Sequence, residues 1–249
     1  MRRRPQRASR SEATHAGRIT EMTQREAPNG PLPSHRSFGA DRFAALWSRC
    51  VTSPPSSDAA TVYADLAREL GAPDRHFHTL AHIRDCLQRL DEVAPLLGRR
   101  DEVELGLWFH DAIYVPGDPN NERRSAELFL GFAAGAAPGF RQRVCRLILA
   151  TRHLAPVQYD DRAFIVDIDL AGLGEPWDAF MHKGDLLRRE FAGVSDDAYY
   201  GAQVVFLQRL VERRSLFATA YFRAAHESAA RSNLQRLLAL RATQGYATS

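Results

Sequence analysis

Five of the nine histidines of this chain, His76, His78, His82, His110 and His153, fall between positions 76 and 153. Imidazole gives up and takes on protons near neutral pH, and it is the commonest protein ligand for a divalent metal. His78 and His82 are four residues apart, so on a helix both project from one face. His110 is followed by Asp111 near the end of DEVELGLWFHDAIY, a segment apolar on most sides. A carboxylate buried there is costly unless a cation or a hydrogen-bond network satisfies it. Asp167 and Asp169 lie two apart, just beyond the ATRH segment that ends at His153. Imidazole and carboxylate donors from separate helices, brought to one point in a bundle core, are what a divalent ion requires. By residue type and spacing the last donor is either Asp167 or Asp169.

The elements that must position these residues read as helices almost throughout. Phe43, Leu46, Trp47 and Cys50 keep helical spacing, and so do Leu80, Ile83, Leu87 and Leu90. SSDAATVYADLARELG opens on a Ser/Asp cap and stops at Gly71. Asp101 is expected to cap the apolar helix that leads to His110. The loop VPGDPNN ends it, and Asn120 or Asn121 caps the next helix. Gly135 and Pro138 separate that one from FRQRVCRLILATRH. Later helices are expected at about 177–191, 196–213 and 226–240. FIVDIDL is the one β-branched run, and it is short. The expected fold is an all-α bundle in a single domain.

Composition narrows the function classes. The chain has 249 residues, 45% hydrophobic and 25% charged, an ordinary globular mix. No apolar run approaches the roughly 18 residues of a membrane span. The net charge of +3 is local: residues 1–38 hold eight Arg and three Glu, or +5, which leaves −2 for the rest. A slightly acidic body argues against a nucleic-acid-binding module. Residues 1–38 read as a disordered Arg-rich tail without the apolar stretch of a signal peptide, and residues 39–245 as the domain. Met22 is an alternative start. Cys50, Cys86 and Cys145 are too scattered for a zinc knuckle and read as small buried apolar residues in a reducing, cytoplasmic setting.

His82, then His110-Asp111, then a distant aspartate is the order H…HD…D of the HD superfamily of metal-dependent phosphohydrolases, which this chain resembles. FHTLAHIRD is similar to the YHNxxHAxD motif of cyclic-nucleotide phosphodiesterases, with Phe77 for Tyr and Thr79 for Asn. More closely, RHFHTLAHI, WFHDAIY, NERRSAELF, ATRH, DIDLAGLG, LRREF and ESAARSNL resemble, in order over about residues 42–238, the bacterial family described as predicted metal-dependent HD-superfamily phosphohydrolases.

The resemblance implies an HD-like helical bundle in which His82, His110, Asp111 and Asp169 hold a divalent ion (Mn, Mg, Co, Ni, Zn or Fe). Asp169 is favoured over Asp167 because DLxxL is similar to the segment after the last HD-domain aspartate. It further implies a small phosphorylated substrate, a phosphomonoester or phosphodiester with nucleotides among the candidates, hydrolysed by a metal-activated water. His78 matches the general acid, with a structural histidine as the other reading. Glu122 could orient or deprotonate the water, or serve the helix dipole. Arg75, Arg123 and Arg152 lie beside the motifs and could clamp phosphate, or sit solvated on the surface. His153 could bind a second metal or the substrate phosphate. Arg188 and Glu190, like Glu227 and Arg231, have spacings that permit ion pairs. The competing reading is a helical scaffold that holds metal and binds a nucleotide or a protein without turnover.

Overall fold

The structure, a computed structural model, describes residues 38–51, 58–153, 157 and 160–246. Ten α-helices succeed one another among the described residues, which include no strand. They are α1 (Ala40–Cys50), α2 (Ala59–Leu70), α3 (Leu80–Val93), α4 (Arg100–Phe109), α5 (Asn121–Phe132), α6 (Pro138–Ala150), α7 (Asp161–Leu170), α8 (Trp177–Glu190), α9 (Asp196–Val211) and α10 (Ala220–Thr243). Short 3₁₀ turns at Ala94–Leu96 and Ala171–Gly174 follow α3 and α7. None of these helices is long and apolar enough to cross a membrane.

Capping chemistry sets several of the boundaries. The Asp58 carboxylate accepts from the N–H groups of Ala60 and Thr61 at the head of α2, which ends at Gly71 as its sequence anticipates. Thr79 caps α3, so that helix starts after His78. The expectation that His78 and His82 share a helix face is therefore corrected: only His82 is on the helix. Asp101 is not a cap either, since α4 begins at Arg100 and Asp101 sits in its first turn, paired with Arg49 at 3.0 Å. Thr219 caps α10, which starts six residues before the expected 226.

The β-branched FIVDIDL run lies inside α7, where Ala163 through Ile168 are buried without interruption. Burial on all sides favours bulky apolar residues whatever their backbone preference. Asp167, in the middle of that run, is fully buried. Its carboxylate accepts from the N–H groups of Ala218 and Thr219 at 2.8 and 2.7 Å, joining α7 to the start of α10.

Helix α4 is central. Every residue from Glu102 to Phe109 is buried, and the helix packs against α1, α3, α5, α6 and α7. Its Trp108 and Phe109 meet Phe43 and Trp47 of α1 and Phe129 of α5, with ring centroids 5.3–6.3 Å apart. Phe38, which the sequence assigned to the tail, stacks on Trp108 at 5.7 Å, so the body begins there. The rest of the expected tail lies outside the described residues.

Gly106, one turn before His110, lets α4 approach its neighbours closely. A Cβ there meets Ile165 Cδ1 of α7 at 2.7 Å and Leu147 Cβ of α6 at 3.2 Å. Gly106→Val is therefore expected to destabilise the domain by about 1–3 kcal/mol through overpacking. For a chain of this length that lowers the melting temperature by roughly 2–4 °C per kcal/mol. A thermal melt checks it, and an unchanged midpoint contradicts the close approach.

Candidate metal centre

Three element ends converge at the C-terminus of α4. His82 is the third residue of α3, His110 caps the C-terminus of α4, Asp111 follows it, and Asp169 is the penultimate residue of α7. Nδ1 of His110 lies 2.8 Å from the carbonyl oxygen of Leu107. A carbonyl only accepts, so Nδ1 carries a hydrogen, and Nε2 is the ring atom that faces the cluster; it carries a proton of its own between the carboxylates, which a cation would displace. Nε2 of His110 and Nε2 of His82 stand 3.3 Å apart. Asp111 Oδ2 is 2.9 Å from the first and 3.6 Å from the second. Asp169 Oδ1 is 3.5 and 3.2 Å from the same two atoms.

Bonds of about 2.0–2.2 Å to one cation place neighbouring donors roughly 2.8–3.6 Å apart, and the five separations above, 2.9–3.6 Å, fall in that range. The electrostatics agree. Burial opposes a charge on His110, but the carboxylates of Asp111 and Asp169 outweigh it and raise its pKa well above the usual value. Both carboxylates in turn are held low against their burial, by His110 above all. The cluster calls for positive charge at the point where a divalent cation would bring it. No protein-family model, curated protein or solved structure matches the chain.

Further groups surround these four. Cys86, one turn along α3, is buried with Sγ 3.6 Å from His82 Nε2. Together His82, Cys86 and Asp169 form a second group of donors within 4.8 Å of one another, beside His82, His110 and Asp111. Burial pushes the Cys86 thiol up to about 12, so without a cation it is a neutral neighbour of the imidazole. His153 presents Nε2 to Asp169 Oδ2 at 2.9 Å, which leaves Oδ1 for the cluster. It does so from a left-handed backbone conformation, φ 53°, that costs a non-glycine residue on the order of 1 kcal/mol. Asp167, the alternative last donor, faces the α10 loop instead.

His78 is held in the turn before α3 by a residue that the sequence reading missed in this role. Glu190, in the last turn of α8, accepts at Oε1 from the N–H groups of His76, Phe77 and His78 at 2.7–2.9 Å. Its Oε2 lies 2.7 Å from His78 Nδ1. The His78 ring also stacks on Tyr114, with centroids 3.8 Å apart. The expected Arg188–Glu190 pair is corrected: Arg188 pairs with Asp196 at 2.7 Å. The Glu227–Arg231 pair is present, also at 2.7 Å. A signal for Glu190 existed, because a carboxylate in the last turn of a helix opposes the dipole and needs another reason to be there.

Burial alone would raise the pKa of Glu190; the His78 imidazole and the three backbone N–H groups outweigh it and bring it down to about 2. A folded-state value below the ordinary 4.5 means that this stabilisation is complete above pH 4.5 and is lost as pH falls through about 2. Glu190→Gln is thus expected to cost on the order of 2–3 kcal/mol at pH 7 and much less near pH 2. Urea unfolding of both proteins at the two pH values measures this. A penalty independent of pH contradicts it.

The remaining sequence-predicted residues lie elsewhere. Arg75 is buried, and its guanidinium donates to the carbonyls of His78, Asp111 and Ala112 at 2.6–3.1 Å. It ties the His78 turn to the His110-Asp111 turn and is not turned toward a ligand. Arg123 is exposed and paired with Glu127 at 2.8 Å. Arg152 donates to the Pro119 carbonyl at 3.2 Å. Glu122 sits in the first turn of α5, and no hydrogen bond or ion pair among the described residues joins it to the cluster. None of these four lines the cavity of about 490 Å³ that opens beside His78, His153 and Asp169.

Proposed function

We propose that the protein is a metal-dependent phosphohydrolase that cleaves a phosphomonoester or phosphodiester with water. The single observation that supports this most is the convergence of His82 Nε2, His110 Nε2, Asp111 Oδ2 and Asp169 Oδ1, with the His110 ring oriented by the Leu107 carbonyl so that Nε2 faces the centre. These four side chains would hold a divalent cation, which when bound would offset charge on a phosphoryl oxygen and lower the pKa of a water from 15.7 toward about 7.

The chain's own residues provide the rest. His153 fixes the orientation of Asp169, and Leu107 fixes that of His110. Glu190 holds Nδ1 of His78, which leaves Nε2 of that ring to carry a proton to the leaving oxygen. Tyr114 and Phe77 flank the His78 ring and restrict water there. In this reading Arg75 is a positioning residue, held on the carbonyls of His78, Asp111 and Ala112, and supplies no arginine clamp to the substrate.

The test is a phosphoester panel on chelator-stripped protein with Mn²⁺, Mg²⁺, Co²⁺, Ni²⁺, Zn²⁺ or Fe²⁺ added back. Expected is hydrolysis that depends on added cation. Stoichiometric cation uptake without hydrolysis of any phosphoester would overturn the enzyme reading in favour of a scaffold that binds without turnover.

A further inference from the structure

We infer that the ligand of this site is a phosphoester of an apolar alcohol rather than a nucleotide, an assignment of substrate class that rests on the phosphohydrolase reading. It comes from the cavity beside the cluster. His78, His153 and Asp169 belong to its wall with Phe77, Tyr114 and Leu170, and the remainder is built by α8, α9, α10, Phe191 just after α8 and the turn after α7. The wall is mainly apolar, with Leu173, Phe180, Met181, Phe191, Phe206 and Leu207 among its residues. A nucleotide needs hydrogen-bonding groups for base and ribose, and cations for any further phosphate.

Among the described residues lining the cavity, the cationic side chains besides the two histidines are Lys183 and Arg241. Both are engaged. Lys183 pairs with Asp85 at 3.0 Å and Glu175 at 2.7 Å. Arg241 donates to Gln203 and Gln244, each at 2.7 Å, and lies 4.0 Å over the Tyr200 ring. Asp185, also in the wall, repels additional negative charge. One phosphoryl group is thus provided for at the cluster, and the remainder of the ligand meets a mainly apolar wall whose uncharged polar side chains are Tyr114, Tyr199 and Gln203, the last already accepting from Arg241. Phe206 lies in the wall while 49% exposed, so the apolar surface continues to the outside.

The volume gives the scale of the part of the ligand held inside. At about 30 Å³ per water-sized group, the cavity holds roughly 16 non-hydrogen atoms. With about four used by the phosphoryl group, some ten to twelve carbons remain.

The experiment is calorimetric binding of n-alkylphosphonates from methyl to hexadecyl, below their aggregation thresholds, to stripped and to Mn²⁺-loaded protein. Hydrolysis of decyl phosphate and AMP is followed alongside. Expected is a Kd that tightens about threefold to fourfold per methylene and levels off near ten to twelve carbons. Met181→Asp should weaken decylphosphonate about tenfold or more without changing bound metal. Phe206→Ser, at a half-exposed position that the fold tolerates, should weaken it severalfold. Affinity independent of chain length, or AMP bound or hydrolysed better than the decyl ligand, overturns the inference and leaves the phosphohydrolase reading intact. Chain-length-dependent binding with no hydrolysis of any phosphoester upholds the apolar ligand and overturns the enzyme reading.

Discussion

Asp111→Ala protein should purify folded, without its stoichiometric divalent cation, and without phosphoester hydrolysis. Folding should survive because Arg75 holds the main-chain carbonyls of Asp111 and Ala112, and the substitution leaves both in place. The lost group is Oδ2, which stands 2.9 Å from His110 Nε2 at the point of convergence. Removing an outer partner of a ligand already costs roughly 10–100-fold in metal affinity, and loss of a donor atom should cost more. Elemental analysis, a thermal melt and a rate measurement together check this. A variant that retains both cation and activity shows that Asp111 is no ligand. One that retains cation but not activity moves Asp111 from holding the metal to handling water or substrate.

His78→Ala should show the opposite separation, with cation retained and turnover lost. Proton transfer by a positioned side chain contributes typically about 10²–10⁴-fold, and the loss should fall in that range for an alkyl ester. A p-nitrophenyl ester leaves as a stable anion and needs little protonation, so its loss should be much smaller. Glu190→Gln should reproduce the pattern more mildly. Its amide oxygen can still accept from the 76–78 backbone, but its amide N–H cannot accept a proton from Nδ1 of His78. Equal losses with both leaving groups would mean that the His78–Glu190 pair shapes the site without carrying the proton. Cation lost from His78→Ala would make the ring a ligand.

The two halves of the site differ in how far the sequence announces them. His82, His110, Asp111 and Asp169 are ionisable groups set in apolar surroundings. His110 follows Trp108 and Phe109, and Asp169 sits in FIVDIDL. Burying such groups requires partners, and the simplest common partner for four of them is a cation. Residue type and spacing anticipated a meeting of imidazoles with Asp111 and one of Asp167 and Asp169; the choice of Asp169 came from the family resemblance. The His78 arrangement was not anticipated. Its i,i+4 spacing to His82 implied a shared helix, but Thr79 caps α3 one residue later. The three N–H groups thereby left free are met by Glu190, more than a hundred positions away.

The arginines were the least legible. A guanidinium on a long stem reaches far from its Cα, so adjacency to a motif does not fix where the charge ends up. Arg75 turned inward to backbone carbonyls, while Arg123 stayed on the surface of α5. The all-α architecture followed from periodicity and caps, including α2 from Asp58 to Gly71. The apolar cavity did not, because residues such as Phe180, Met181 and Leu207 have the spacing of core positions and reveal an open wall only after α8, α9 and α10 are assembled.

The most direct measurement is X-ray absorption on the stripped protein titrated with Co²⁺ or Zn²⁺. Expected is one equivalent bound in a shell of nitrogen and oxygen donors at about 2.0–2.2 Å, with the scattering pattern of two imidazoles. A protein that takes up no stoichiometric ion, or a shell lacking histidine, contradicts the metal centre and the hydrolytic role drawn from it.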